Sequence, residues 1–500
     1  MTAVATDRRL GQMAARLLAE VGLFSRFVVG RALYPYQREP ARALLKSVLE
    51  RQGETFSVMM ARQAGKNELS AHLEAYLLNL NADRGGEIVK AAPTDVPQLA
   101  TSRLRLEWAL ENPLAAGRWR REPTGIRLGR ARIQFLSAEP GADIVGATAS
   151  LLLEVDEAQD IDPDKHDRDL APIAASTNAT RVYYGTAWRE DDLLQRVKER
   201  NLELARRDGL RRHFEYPWDV VAEHNPEYAR FVLAERARLG EDHPLFRTQY
   251  RLQTLGGEAG FLNARQRGLI RGDHPRQHAP VDGESYVAGI DLAGSDEEPA
   301  DELVRPARPR RNSTVVTIAR VVPVEIADGI VEPRLEVVEH CWWTGRGHRA
   351  QYQALIATLH DLWRCQRIAV DASGIGAGVA EFLCSALGEA VRPFVLTAGT
   401  KSKLGFAFLA AVNGGRFKMY RDPAAQGGED GCAAEFWREV ELCRYAVRRN
   451  RQLGFWVPGS QGRDDFVVSA ALCAWAAREW VVPLPAVLTQ RPLDFAEGRC

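Results

Sequence analysis

Cysteine is sparse in this 500-residue chain and follows no pattern: seven residues are scattered along it, and no C-x-x-C pair occurs among them. That argues against a disulfide framework and a structural zinc site, and it predicts a reducing compartment. Charge of one sign is not in excess either. The 66 Lys and Arg balance the 66 Asp and Glu, so any nucleic-acid contact must rest on local charge. No apolar run approaches the length of a membrane span, and no internal repeat is present. The opening residues M-T-A-V-A-T-D-R-R-L carry charges early, with no long apolar stretch behind them, which is not the pattern of a signal peptide. What is there is an ordinary globular composition, 45% hydrophobic and 26% charged, with length for two or three domains. A cytoplasmic protein without membrane association is expected.

The chain reads as two halves. The first opens with helical patterning from about Arg8 to Glu50, which contains L-Y-P-Y-Q at Leu33 to Gln37. E-T-F-S-V-M-M-A then reads as a buried strand and N-E-L-S-A-H-L-E-A-Y-L-L-N-L as a helix, with R-Q-A-G-K at the turn between them. S-L-L-L-E-V-D-E-A (Ser150 to Ala158) and R-V-Y-Y-G-T-A-W (Arg181 to Trp188) are further strands. Strands alternating with helices predict a parallel α/β sheet. The pattern breaks at Gly256-Gly257, and the polar run to Gly283 reads as a linker. In the second half S-Y-V-A-G-I-D-L-A-G-S is a strand, and the acidic, then Arg/Pro-rich insert from Asp296 to Asn312 reads as a loop. Two strands, a helix near Arg349 to Cys365, the strand R-I-A-V-D-A-S, a helix, the strand R-P-F-V-L-T and a final helix after Asp464-Asp465 follow. The expected division is residues 1–255, a linker at 256–283, a second domain at 284–480 and a tail at 481–500.

A phosphate-binding loop aims backbone N–H groups and a helix N-terminus at phosphate oxygens, adds a lysine, and usually places a hydroxyl on Mg²⁺. Gly65 and Lys66 meet two of these needs, while Asn67 offers an amide oxygen where the hydroxyl stands. Alone, a G-K pair at a helix start is usually a cap with a surface lysine. The apolar strand ending in Asp156-Glu157 weighs against that, because ligands of open α/β sheets bind at the carboxyl ends of strands. Asp156 would hold Mg²⁺ through water and Glu157 would polarise the attacking water. Thr186, ending the next strand, would sense the γ-phosphate, or is simply a buried strand-end residue.

These residues resemble the ATPase motifs of phage terminase large subunits, the motors that package DNA into capsids. In that family the loop often reads R-Q-x-G-K, so the missing opening glycine resembles a family variant. The resemblance implies that Arg62 is a pre-placed cation near the γ-phosphate, that Gln63 belongs to the loop, and that Tyr36-Gln37 lies in the adenine-recognising segment. Asn67 departs from the commoner Ser or Thr. In the second half Asp291 and Asp371 lie on apolar strands and Asp464-Asp465 begin a helix. Their order resembles the RNase H-like nuclease fold, also the second domain of terminase large subunits. Three separated carboxylates, Asp291, Asp371 and either Asp464 or Asp465, can converge on two divalent ions, Mg²⁺ or Mn²⁺; Asp465 is favoured of the last pair.

The expectation is an N-terminal ATPase using ATP and Mg²⁺ and a C-terminal metal-dependent endonuclease acting on double-stranded DNA. The resemblance further implies a pentameric ring on the portal protein, a small terminase subunit as partner, and action in the host cytoplasm outside the finished virion. The rivals are a helicase-like nucleic-acid-dependent ATPase with a degenerate nuclease domain, and a non-enzymatic capsid or scaffold component. The glycines of S-G-I-G-A-G after Asp371 lack dinucleotide-loop spacing and fit close approach of chain or DNA. The basic run from Lys198 to His213 reads as a solvated helix face, and His340 and His348 have no metal-like partners in sequence.

Overall fold

A computed structural model describes residues 20–142, 144, 146–292, 313–327, 329–344, 348–374, 376–421, 431–448 and 451–478. The insert at Asp296 to Asn312, the start of the N-terminal helical pattern and the 481–500 tail lie outside these residues. The described residues divide into two compact bodies. One comprises those of Met1–Phe261 with Lys401–Gly414 and Arg444–Trp456; the other comprises those of Leu262–Thr400, Gly415–Cys443 and Val457–Cys500.

The first body is built on eight strands: β1 (Thr55–Met60), β2 (Gly86–Ala92), β3 (Trp119–Glu122), β4 (Gly125–Leu128), β5 (Ala131–Ser137), β6 (Leu152–Val155), β7 (Thr180–Gly185) and β8 (His213–Tyr216). Their order is β3-β4-β5-β2-β6-β7-β1-β8. All pairs are parallel except the antiparallel β3–β4 and β4–β5 at one edge. The central strands are continuous apolar runs because both faces are covered by helices. Those helices include α1 (Pro35–Leu49), α2 (Lys66–Asn81), α3 (Ala100–Leu110) and α4 (Leu193–Asp208). Helix α2 is buried from Leu69 through Leu78. Helix α4 carries the basic run as far as Asp208 on a largely exposed surface, begins at an Asp192 side-chain cap and ends at Gly209 with φ 74°, but beyond it Arg212 is buried against Glu54 and Asp208 and is not part of a solvated face. Strand β7 lies between β1 and β6, so the strand feeding the phosphate loop and the strand ending in Asp156-Glu157 point the same way, one strand apart. This is the parallel-dominated α/β sheet that the alternating strands and helices of the first half predict.

The second body contains β10 (Tyr286–Asp291), β11 (Ser313–Ala327), β12 (Ile330–Thr344), β13 (Arg367–Asp371), β14 (Val391–Phe394) and β15 (Phe417–Lys418), in the order β14-β13-β10-β11-β12-β15. The short strand Ala259–Gly260 is β9 and belongs to the first body. Strands β10, β11 and β12 form an antiparallel meander, and β13 and β14 add in parallel on the far side of β10. This is an RNase H-like mixed sheet. Helices α5 (Gly431–Leu442) and α6 (Asp465–Ala477) pack with it. Helix α6 is buried on almost all sides. It lies directly on β10 because Gly289 has no side chain: a Cβ there would stand 2.1 Å from the Cys473 nitrogen and 2.2 Å from the Ser469 oxygen. The Ser469 hydroxyl donates to the Gly289 carbonyl at 2.9 Å and lies 2.8 Å from the Thr317 hydroxyl. His340 is buried and bonds Thr317 at 3.1 Å, a packing role.

Strands β16 (Arg444–Val447) and β17 (Leu453–Trp456) form a hairpin that sequence order would assign to the second half, yet it belongs to the first body. Strand β16 pairs with β9 through Arg444↔Gly260 and Tyr445↔Ala259. Phe455 stacks on Phe261 with ring centroids 4.8 Å apart, and Val447 packs with Trp188 and Leu255. The stretch read as a linker at 256–283 therefore contains β9 and also a capped helix at Ala264–Ile270.

Candidate nucleotide and metal sites

The candidate phosphate loop of the first body runs from Ala61 to Gly65, between β1 and α2, where strand meets helix. Gly65 has φ 88°, a backbone conformation costly for other residues. A Cβ on it would also lie 2.5 Å from Gln37 Nε2. Gln37 is almost fully buried and ties the loop from behind: its amide donates to the Gly65 carbonyl at 3.0 Å and accepts from the Tyr34 N–H at 2.8 Å. The Tyr36 hydroxyl donates to the Ala64 carbonyl at 3.0 Å. Arg62 is fixed through its backbone, its N–H donating to Gln249 O at 2.7 Å and its carbonyl accepting from Tyr228 at 2.9 Å.

The loop opens onto a cavity of about 740 Å³ lined by Arg62, Gln63, Gly65, Lys66, Asn67, Glu157 and Thr186 among others. Across it Lys66 Nζ reaches Glu157 Oε1 at 2.8 Å. Burial would push the Glu157 carboxyl up, but Lys66, the Gln159 amide and Arg451 outweigh it and hold it at about 2. Asp156 is buried beside it, accepts the Glu157 N–H at 3.0 Å, and is pushed up by burial. Thr186 is buried at the end of β7 and accepts from the Gln249 amide at 3.4 Å. So the structure brings Lys66, Asp156, Glu157 and Thr186 to one edge of the sheet with Arg62, Gln63 and Asn67 around them. Tyr34, Tyr36 and His224 stack near its rim, with Tyr34 and Tyr36 centroids 5.6 Å apart. Carboxylate and amide oxygens at Asp156 and Asn67 are hard donors of the kind Mg²⁺ prefers.

Sequence reasoning missed two features. Beneath the loop, Lys90 of β2 is fully buried and donates to Ser70 Oγ at 2.7 Å and Glu74 Oε1 at 2.9 Å, both on α2. Ser70 also contacts Glu154 of β6 at 3.1 Å, and Tyr184 of β7 donates to Glu154 at 3.2 Å. Burial holds Glu154 well above the usual carboxylate range, while Lys90 keeps Glu74 ionised. The signal was a lysine within the apolar strand E-I-V-K-A-A and a glutamate within L-L-L-E-V. The second missed feature is Arg451. It lies between β16 and β17, has φ 63°, and lines the same cavity.

In the second body, register places Ile290 beside Val370 on adjacent parallel strands, so Asp291 and Asp371 stand side by side at their carboxyl ends. Asp371 Oδ1 accepts the Ser373 N–H at 2.8 Å. Gly376 packs under this turn, where a Cβ would lie 2.6 Å from the Asp371 carbonyl, so here the glycine admits the chain itself. Asp465 begins α6 and accepts from the backbone of Ser313 at the start of β11, at the same end of the sheet. Burial, with Asp464 beside it, pushes Asp465 up to about 6. Glu439 of α5 accepts the Phe466 and Val467 N–H groups at 2.7 and 3.1 Å, fixing the start of α6. The donors are carboxylates, the right chemistry for Mg²⁺ or Mn²⁺. As they stand, no three His, Cys, Asp or Glu among the described residues are drawn close enough to hold an ion.

The fold and these sites define an α/β chain that joins a phosphate-loop body to an RNase H-like body. No family model and no curated protein matches it. It is similar to solved structures of phage large terminases. One, the large terminase of a thermophilic bacteriophage in complex with ADP, is 11% identical, with 88% of this chain and 98% of that chain covered and a TM-score of 0.47. The HK97 bacteriophage large terminase is 17% identical, with 92% and 99% covered and a TM-score of 0.40. The large terminase nuclease from thermophilic phage G20c with bound magnesium is 17% identical, covering 43% of this chain and 97% of that one, with a TM-score of 0.31. Among the described residues no helix is long and apolar enough to cross a membrane.

Proposed function

We propose that this chain is a phage terminase large subunit: an ATP-driven motor that packages double-stranded DNA and cuts it with a divalent-metal-dependent endonuclease. The observation that carries the reading is the Lys66–Glu157 pair, a phosphate-loop lysine facing a strand-end glutamate across a cavity of nucleotide size. In this arrangement Lys66 is the counter-ion of Glu157. Binding of a triphosphate draws the Lys66 charge to the phosphates and leaves Glu157 to orient the attacking water. Arg62 supplies charge at the γ-phosphate, Thr186 senses it, and the Gly65 turn presents the N-terminus of α2 to the phosphates. Mg²⁺, when bound, neutralises the developing charge; Asp156 and Asn67 are the residues that would hold it. At the second site Asp291, Asp371 and Asp465 would hold Mg²⁺ or Mn²⁺, which supplies charge stabilisation in phosphodiester cleavage. The ring on a portal protein and the small-subunit partner complete the proposal.

The second reading is a helicase-like ATPase with a degenerate nuclease domain. Both are tested on the full chain by ATP turnover with and without double-stranded DNA, beside a plasmid-cutting assay titrated with Mn²⁺. We expect Lys66→Ala to lose ATP turnover and keep cutting, and Asp291→Ala to lose cutting and keep turnover. Wild-type protein that hydrolyses ATP but never cuts would select the helicase-like reading. Wild-type turnover by folded Lys66→Ala would remove the nucleotide site.

A further inference from the structure

Seven non-glycine residues among those described have positive φ, and three of them, Gln63, Glu157 and Arg451, line the nucleotide-sized cavity. Such a conformation is strained and persists where the surroundings over-determine it, which is commonly at functional sites. Gln63 and Glu157 belong to the motifs already described. Arg451 does not. It lies in sequence between Asp371 and Asp465, on a hairpin whose strand β16 pairs with β9 and whose Val447 packs against Trp188, two residues beyond Thr186.

The contacts of Arg451 are specific. Its Nε donates to Asp160 Oδ1 at 2.8 Å, and a second guanidinium nitrogen reaches Asp160 Oδ2, a two-pronged grip on one carboxylate. The same second nitrogen stands 3.6 Å from Glu157 Oε2. The guanidinium carbon lies 5.5 Å from the Trp188 ring centroid, over its face. Glu157 is thus held at both oxygens: Lys66 on Oε1 at 2.8 Å, and Gln159 and Arg451 on Oε2. In the proposed reaction Lys66 must turn to the phosphates. Once it does, Arg451 remains as a cation beside Glu157.

We propose that Arg451 is a positioning residue of the nucleotide site, anchored by Asp160, that holds the Glu157 carboxylate in its water-orienting position when Lys66 engages phosphate. The inference rests on the ATPase reading of this cavity. It makes turnover depend on a side chain supplied from the C-terminal half of the sequence. Arg451 acts on Glu157 and not on the nucleotide, so its loss should lower kcat while nucleotide affinity holds. A fork that grips two carboxylates is also poorly replaced by a lysine.

The test uses the full chain, with steady-state ATP turnover, equilibrium binding of a fluorescent ATP analogue and thermal unfolding measured for each variant. Arg451→Ala should lower kcat on the order of tenfold or more while the dissociation constant stays within about twofold. Arg451→Lys should recover part of the loss. Asp160→Asn, which frees the guanidinium without touching the hairpin, should lower kcat in the same sense. Wild-type kcat in Arg451→Ala, with Lys66→Ala inactive, would overturn the inference and leave the ATPase reading intact. Wild-type turnover in both would instead sink the ATPase reading. If Arg451→Ala unfolds, Asp160→Asn decides: an unchanged kcat there refutes the role, and a lowered kcat at unchanged affinity supports it. A loss of nucleotide affinity matching the loss of kcat would also overturn it, since the residue would then serve binding.

Discussion

Gly289 lies two residues before Asp291 and receives the backbone of α6. Gly289→Ala would place a methyl carbon 2.1 Å from Cys473 N and 2.2 Å from Ser469 O. Ordinary van der Waals contact begins at 3.4 Å, so one backbone must retreat by about 1.3 Å. Neither obstacle is a flexible side-chain end, so the displacement falls on α6 as a whole. The Ser469–Gly289 hydrogen bond would lengthen, and Asp465 at the head of the helix would move away from the strand ends that carry Asp291 and Asp371. Overpacking of this kind costs about 1–3 kcal/mol in stability. A misplacement of about 1 Å at reacting groups can cost about 100-fold in rate. We therefore expect Gly289→Ala to remain folded and somewhat less stable, and to lose about 100-fold in Mn²⁺-dependent plasmid cutting. Its ATP turnover should stay near wild type. Gly378→Ala is the control: it sits in a helix with nothing within 4 Å of its added carbon, and alanine is preferred to glycine there by up to about 1 kcal/mol. Wild-type cutting by Gly289→Ala, or a Gly378→Ala defect as large, would refute the reasoning that the glycine seats α6 and through it Asp465.

Three further outcomes are expected. Glu157→Gln should bind a fluorescent ATP analogue and fail to turn ATP over; turnover near wild type would show that Glu157 is not the water-orienting group. Lys90→Met should lower stability by roughly 3–5 kcal/mol in chemical denaturation, because Glu74 would be left buried beside Glu154 without a cation. The cost should shrink in acid, and a neutral effect would mean that the buried network is dispensable. His243 is fully buried, accepts from the Leu245 N–H and donates to the Phe406 carbonyl, and burial pushes it down to about 4 from an ordinary 6.5. A histidine kept neutral by the fold contributes stability in full above pH 6.5, lost progressively as pH falls toward 4. That span corresponds to about 3 kcal/mol. Urea denaturation of wild type and His243→Gln from about neutral pH down to about pH 4.5 should show the gap closing; a constant gap would refute it.

Much of this was legible along the chain because it is local. The apolar runs before Lys66, Asp156, Asp291 and Asp371 mark buried strands, and polar residues at their ends mark the edge that carries the candidate sites. The alternation of strands and helices was enough for the class of both sheets, although of the eight strands in the first body only β1, β6 and β7 were read from the chain. What was not legible depends on distant pairing. Strand β9 looked like part of a linker because its partner β16 lies far along the chain and its two residues carry no periodicity. Arg451 sits in the basic stretch R-R-N-R-Q, where nothing distinguishes it from a solvated charge; its two acidic partners become visible only when the hairpin docks. Gln37 was read through resemblance as part of a base-recognising segment. The structure shows what else its amide does, bracing the loop through Gly65.

The interleaved course of the chain also bears on how the protein is made. The body with the phosphate loop needs residues up to 456 to complete its small sheet and to bring Arg451 to Asp160. A ribosome adding roughly 5–20 residues per second takes about 10–40 s to pass from residue 261 to residue 456. During that interval the nascent first body has Trp188, Leu255 and Phe261 without their hairpin partners, an apolar surface open to chaperones. It also has a phosphate loop whose glutamate is held by Lys66 and Gln159 without Arg451. The proposed ATPase would then come into force late in synthesis, after both aspartate-bearing strands, β10 and β13, have already left the ribosome.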